Sequence, residues 1–133
     1  MMANKFTFVL MDNHKATIWK TGLDSNSAKI IIKAHDQYPE HDARAGEPRG
    51  PEAISTFLRE ISTHLYDAGA IFLMGPGKGK ASGALNLKEY LNKKHPDIAK
   101  NIYEIESADM TRTSERELLA RARVEWHKYL QSH

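Results

Sequence analysis

Residues 70–84, Ala-Ile-Phe-Leu-Met-Gly-Pro-Gly-Lys-Gly-Lys-Ala-Ser-Gly-Ala, constrain the fold of this chain more than any other stretch. A short apolar run breaks into a turn carrying Gly75, Gly77 and Gly79 with Lys78 and Lys80, and a helical pattern follows. A strand that turns directly into a helix is a building unit of an α/β sheet. The same turn carries chemistry. Glycine lets the backbone approach a ligand closely, and a helix start offers unpaired N–H groups at the positive end of its dipole. With two lysines added, the stretch reads as an anion-holding corner suited to phosphate. A plainer reading needs the glycines only for turn geometry and leaves the lysines solvated.

Two specific phosphate-binding patterns fail at this corner. A P-loop requires Gly at position 74 and Ser or Thr at position 81, where the chain has Met74 and Ala81. The dinucleotide pattern begins with Gly75 and Gly77, but its third glycine position is Lys80.

The flanking sequence supplies the other elements. Phe6–Met11 is an apolar run of strand length, closed by turn-forming Asp12 and Asn13. Thr17, Ile18 and Trp19 suit a second strand over 15–20, and Ile30, Ile31 and Ile32 a third. Short links make these an antiparallel meander. Residues 35–50 show no useful period and read as a long mobile loop. Pro51 stands where a first helical residue can. Ile54, Phe57, Leu58, Ile61 and Leu65 then follow at helical spacing, with Gly69 able to end the helix. Residues 70–74 read as a buried strand. Ala84, Leu87 and Leu91 mark the next helix, which His95-Pro96 stops. A fifth strand spans 102–106. Ser114 and Glu117 form a capping-box pattern ahead of a long last helix bearing Leu118, Ala122, Trp126 and Tyr129. The order β-β-β-α-β-α-β-α predicts a single domain over 1–133. Its class is α/β, a five-stranded mixed sheet with helices on both faces, in the element order of the ribonuclease H-like architecture.

Composition removes several function classes. The net charge of +2 excludes a bulk polycation, so any nucleic-acid contact must come from a local patch. The absence of cysteine removes disulfides, thiolate metal sites and cysteine nucleophiles together, and suits a reducing compartment. The first residues lack the apolar core of a signal peptide, and no run reaches membrane-spanning length. A cytoplasmic protein without membrane contact is the expectation.

The acids and histidines do not assemble into a reaction centre by spacing. Two-metal nuclease chemistry needs several converging carboxylates. Asp12 lies at the very end of the first strand, Glu60 falls between core positions on the first helix, and Asp109 suits a loop before the last helix. His35-Asp36 and His41-Asp42 repeat at a six-residue interval, but the spacing matches no familiar zinc site. No metal and no cofactor are expected. The basic residues are more suggestive. Arg44 and Arg49 in the long loop, Lys78 and Lys80 in the turn, and Arg112, Arg116 and Arg123 near the last helix are placed to contact RNA phosphates. Tyr38 in the same loop is able to stack on a base. Against this, Glu115, Glu117 and Glu125 give the last helix a mixed, solvated character.

Four segments carry a family resemblance. They are Phe8-Val9-Leu10-Met11-Asp12-Asn13-His14-Lys15-Ala16, His41-Asp42-Ala43-Arg44-Ala45-Gly46-Glu47, Ala70-Ile71-Phe72-Leu73-Met74-Gly75-Pro76-Gly77-Lys78 and Leu91-Asn92-Lys93-Lys94-His95-Pro96-Asp97-Ile98-Ala99. In these the chain resembles the middle domain of archaeal and eukaryotic class-1 peptide release factors and of Pelota, and most of all their bacterial relatives. The resemblance implies a translation-associated domain that contacts the ribosome or structured RNA. It also implies that the loop after the third strand is where release factors carry Gly-Gly-Gln. Here that segment is Arg44-Ala45-Gly46-Glu47. Ala45 restricts the backbone and an ionised Glu47 has no N–H to donate, so ester hydrolysis is not expected to carry over.

Two function classes follow. The first is a non-hydrolytic RNA- or ribosome-binding module using Arg44, Arg49, Gly75, Gly77, Lys78, Gly79 and Lys80. The second is a hydrolase of peptidyl-tRNA or a nucleotide-like small molecule working through the 41–50 loop. A homodimer formed through the second-strand edge at Trp19 is a further option, because an open edge invites partners.

Overall fold

The computed structural model describes residues 6–34 and 51–132, with side chains from residue 55 in the second segment. The described residues form β1 (Phe6–Met11), β2 (Lys15–Trp19), β3 (Ile30–Lys33), α1 (Pro51–Ser62) and β4 (Ala70–Gly75). A single 3-10 turn (Gly79–Ala81) then leads into α2 (Gly83–Lys94), α3 (Pro96–Ala99), β5 (Ile102–Ser107) and α4 (Glu115–Ser132).

The five strands make one mixed sheet in the order β3-β2-β1-β4-β5. β2 runs antiparallel to β1 and to β3, while β1, β4 and β5 run parallel. β1 and β4 are buried along their whole length because both faces of the sheet are covered. Strand alternation sorts the side chains between two cores. Val9, Met11, Ile18, Ile71 and Leu73 pack with Phe57 and Ile61 of α1, Leu87 and Leu91 of α2, and Ile98 of α3. Phe6, Phe8, Trp19, Phe72 and Met74 pack with Leu118, Leu119, Ala122 and Tyr129 of α4. The second core is aromatic: the Phe8 ring stacks between Trp19, at 5.3 Å, and Phe72, at 5.6 Å. Burying each such side chain stabilises the fold by roughly 1.5–3 kcal/mol.

Helix ends follow local chemistry. α1 stops at Ser62, earlier than the spacing through Leu65 predicts. The Ser62 hydroxyl donates to the Arg59 carbonyl at 2.6 Å and the Thr63 hydroxyl to that of Glu60 at 2.7 Å, which competes with continuation of the helix. Leu65 is buried all the same, from the turn that follows. α2 ends at Lys94 as the His95-Pro96 pair predicts, but the proline also opens a further short helix, α3, with Pro96 in its first turn. The capping box is present: the Ser114 N–H donates to Glu117 at 3.2 Å, and the Glu117 N–H donates back to the Ser114 hydroxyl at 3.2 Å. α4 is tied down by ion pairs. Arg121 grips Glu106 of β5 through two nitrogens, at 2.9 and 2.6 Å, and reaches Glu125 at 2.6 Å.

One expectation is corrected. Trp19 is fully buried, and β2 lies between β1 and β3 with hydrogen-bonded partners on both sides. Its edge is not open, so the route to a homodimer through Trp19 does not exist. Among the described residues the sheet ends at β3 and β5. No helix among the described residues is long and apolar enough to cross a membrane.

Candidate anion-binding corner

β1 continues into a hairpin towards β2, while β4 continues through α2 to β5 on the opposite side. The two connections diverge at the carboxyl ends of β1 and β4. Such a divergence is where open α/β sheets place ligands. The Gly75–Gly83 segment lies at this point.

The corner is built by backbone crowding and side-chain stitching. A Cβ at Gly75 would overlap the Met11 carbonyl oxygen and sit 3.2 Å from its carbon, so β4 approaches β1 closely here only because residue 75 has no side chain. A Cβ at Gly83 would come 2.5 Å from the Asp12 carbonyl oxygen. Gly77 has φ +92° and Gly79 φ +55°, angles that L side chains rarely adopt. Around them the Asp12 carboxylate accepts from the N–H of His14 at 2.7 Å and of Lys15 at 2.8 Å, fixing the hairpin. The Asn13 amide donates to the Ala81 carbonyl at 3.1 Å. The Asn86 amide donates to Asn13 and to the Lys80 carbonyl, each at 3.1 Å. Ser82 caps α2 by accepting from the Leu85 N–H at 3.1 Å. The turn is therefore locked to both the hairpin and the helix it precedes.

This geometry places the predicted residues in two groups. Gly75, Gly77 and Gly79 each have a structural reason, crowding or positive φ, that stands without a ligand. Lys78 and Lys80 are exposed, and neither forms an ion pair among the described residues. Arg44 and Arg49, with the rest of 35–50, lie outside the described residues, as do Tyr38, His35, His41 and Glu47. The residue that precedes that segment, Ala34, lies at the same end of the sheet as the glycine turn. β3 runs parallel to β1, so its carboxyl end is there, and the Ala34 N–H donates to the His14 carbonyl at 2.8 Å.

Two cations were not legible in the sequence as part of this end. Lys15 and Lys33 are paired across β2 and β3 in register. Both are exposed, and neither has an ion-pair partner among the described residues. Like charges directly opposite on a sheet destabilise it, so the arrangement is not explained by stability. Only strand pairing brings the two together, and no local sequence signal encodes it.

Other candidate residues are engaged elsewhere. Asp109 accepts from the Thr111 hydroxyl at 2.7 Å and the Thr111 N–H at 3.0 Å, and these bonds hold its carboxyl below the ordinary range. Asp12 caps its own hairpin, and Glu60 is exposed on α1. The Arg123 guanidinium donates to the Leu23 carbonyl at 2.6 Å and so ties α4 down. Arg112 is exposed beside Asp109, at 3.7 Å, and Arg116 is exposed at the start of α4. Comparison with known proteins finds no matching family model and no matching curated protein.

Proposed function

We propose that the chain is a cytoplasmic, translation-associated module that binds RNA or the ribosome through phosphates and does not cleave its ligand. The architecture proposed for it is ribonuclease H-like. The strand order β3-β2-β1-β4-β5, with β2 alone reversed and helices on both faces, supports that reading. The observation that carries the function is a set of four exposed lysines, Lys15, Lys33, Lys78 and Lys80, at one end of the sheet. No carboxylate forms an ion pair with them among the described residues. Cations held on a rigid corner suit a chain of phosphates, whose spacing calls for several contacts and whose affinity then depends on salt.

The resemblance to release-factor middle domains supports the translation setting. Ala45 and Glu47, where Gly and Gln stand in release factors, support binding without ester hydrolysis. Co-sedimentation with purified ribosomes tests the reading. The protein should pellet with ribosomes at low salt and stay in the supernatant at high salt. Absence from the pellet at low salt, or salt-independent pelleting, would overturn it.

A further inference from the structure

The turn between α1 and β4 meets the end of α2 at the end of the sheet opposite the glycine corner, and the meeting gathers aromatic rings. The Tyr66 ring lies edge-on to His95, at 5.6 Å and 87°, and the Tyr90 ring is tilted against His95 at 5.8 Å. Tyr90 packs on the core beneath. His95 joins α2 to α3: its N–H donates to the Leu91 carbonyl at 2.8 Å, and its carbonyl accepts from Ile98 at 2.9 Å and Ala99 at 3.0 Å. Tyr66 follows buried Leu65, in a turn closed by the Ala68 N–H donating to the Leu65 carbonyl at 3.2 Å. The backbone that carries each ring is therefore tied down.

Tyr66 is nevertheless 58% exposed, more than any other large hydrophobic side chain among the described residues. Its ring contact there is with His95, and one contact covers at most one of its two faces. A tethered ring with a free face is a stacking surface that orders at little entropic cost. Lys93 and Lys94, three and four residues after Tyr90, share its helix surface. Both are exposed, and neither forms an ion pair among the described residues. Asp67, next to Tyr66, is bridged to Lys20 at 2.9 Å. A ring beside unpaired cations matches a ligand that alternates flat bases with phosphates. An acidic peptide would satisfy the lysines and leave the ring face unused.

We infer that Tyr66, backed by His95 and Tyr90, is a base-stacking subsite for single-stranded RNA, with Lys93 and Lys94 holding the adjoining phosphates. This contact adds to the lysine corner and rests on the RNA reading proposed for it. α2 starts at the corner and ends at the rings. Its 12 residues rise roughly 18 Å, about five nucleotides at a stacked spacing of ~3.4 Å, so a longer strand reaches both.

The test is fluorescence anisotropy of the full chain with a labelled oligoadenylate of roughly ten nucleotides and with an abasic strand of the same length. The abasic strand, a comparison that needs no variant, should bind the natural chain at least roughly fivefold more weakly. Tyr66→Ala, checked for folding by circular dichroism, should weaken oligoadenylate binding at least roughly fivefold. The slope of log K against log salt should not change, because the lost ring is uncharged. Tyr66→Phe keeps the ring and should bind as the natural chain does. Lys93→Ala/Lys94→Ala should make the slope shallower by roughly 1.4. Salt-dependent RNA binding that is indifferent to Tyr66→Ala or to removal of the bases overturns the stacking subsite and leaves the corner reading standing. So does a loss in Tyr66→Phe as large as in Tyr66→Ala, a slope unchanged in the double lysine variant, or poly-L-glutamate binding that depends equally on Tyr66. Absence of RNA binding by the natural chain at low salt overturns the corner reading and the subsite together.

Discussion

Gly75→Ala is the sharpest test of how the corner is assembled. Gly75 does not have a positive φ, so the reason for glycine there is crowding alone. A Cβ at this position overlaps the Met11 carbonyl oxygen, and real Cβ atoms essentially never come within 3.0 Å of such an atom. The obstacle is backbone, which cannot rotate away as a side chain can. β4 must retreat by roughly 1 Å where Leu10 and Met74 are paired, or the Met11 peptide must turn. Overpacking typically costs 1–3 kcal/mol, and a rigid backbone obstacle between two fully buried strands belongs at the top of that range or beyond it. The expected loss is about 3–4 kcal/mol. Gly79→Ala is the matched control. Its Cβ meets nothing within 4 Å, so only the φ of +55° opposes it, and the expected loss is about 1 kcal/mol. Urea unfolding followed by tryptophan fluorescence measures both, since Trp19 is fully buried against Phe8. A loss below about 1 kcal/mol for Gly75→Ala, or equal losses for the two variants, would refute the argument that close strand approach requires glycine at 75.

The Arg121 network and the helix cap give further tests. Glu125 is 3% exposed; burial pushes its carboxyl up, but the Arg121 hydrogen bond and the charges of Arg121 and Lys128 outweigh this and hold it below its ordinary value of 4.5. A lowered folded-state pKa means that this contribution is complete above the ordinary value and is lost as pH falls through the lowered one. The stability of the natural chain should therefore fall on acidification below about pH 5, with a shallower fall in Glu125→Gln, as read by urea unfolding at a series of pH values. Arg121→Met leaves a buried carboxylate short of its main partner. With the guanidinium one-third exposed, a loss of about 2–3 kcal/mol at neutral pH is expected by the same assay. Ser114→Ala removes the capping box of α4 and should cost about 1 kcal/mol, seen as a drop of roughly 3–5 °C in the thermal midpoint.

The parts legible from sequence were those written in local pattern. Continuous apolar runs announced β1 and β4 because both of their faces are covered. The Ser114–Glu117 spacing announced the start of α4, and the glycine cluster announced the turn into α2. Other features depend on competition or on pairing between distant segments. α1 ends early because Ser62 and Thr63 satisfy carbonyls of their own helix, which an apolar period through Leu65 conceals. Pro96 stops one helix and starts another, since a proline is tolerated in a first turn. Trp19 gave no sign of its place, because whether β2 is an edge or an inner strand is decided by β3 pairing beyond it. The glycines suggested a phosphate cradle, whereas Gly75 and Gly83 answer to the carbonyls of Met11 and Asp12 in a segment some 70 residues away. Lys15 and Lys33 entered the candidate site only through their register.

The central claim is that unneutralised lysines on the glycine corner hold phosphates. The most direct measurement is the salt dependence of binding to a single-stranded RNA by fluorescence anisotropy, for the natural chain and for Lys78→Ala/Lys80→Ala. Each lost phosphate contact should reduce the magnitude of the slope of log K against log salt by about 0.7, so the double variant should bind more weakly with a slope shallower by roughly 1.4. Its unfolding stability should stay within about 0.5 kcal/mol, because both side chains are exposed. A slope unchanged by the double substitution, or no RNA binding by the natural chain at low salt, would contradict the account.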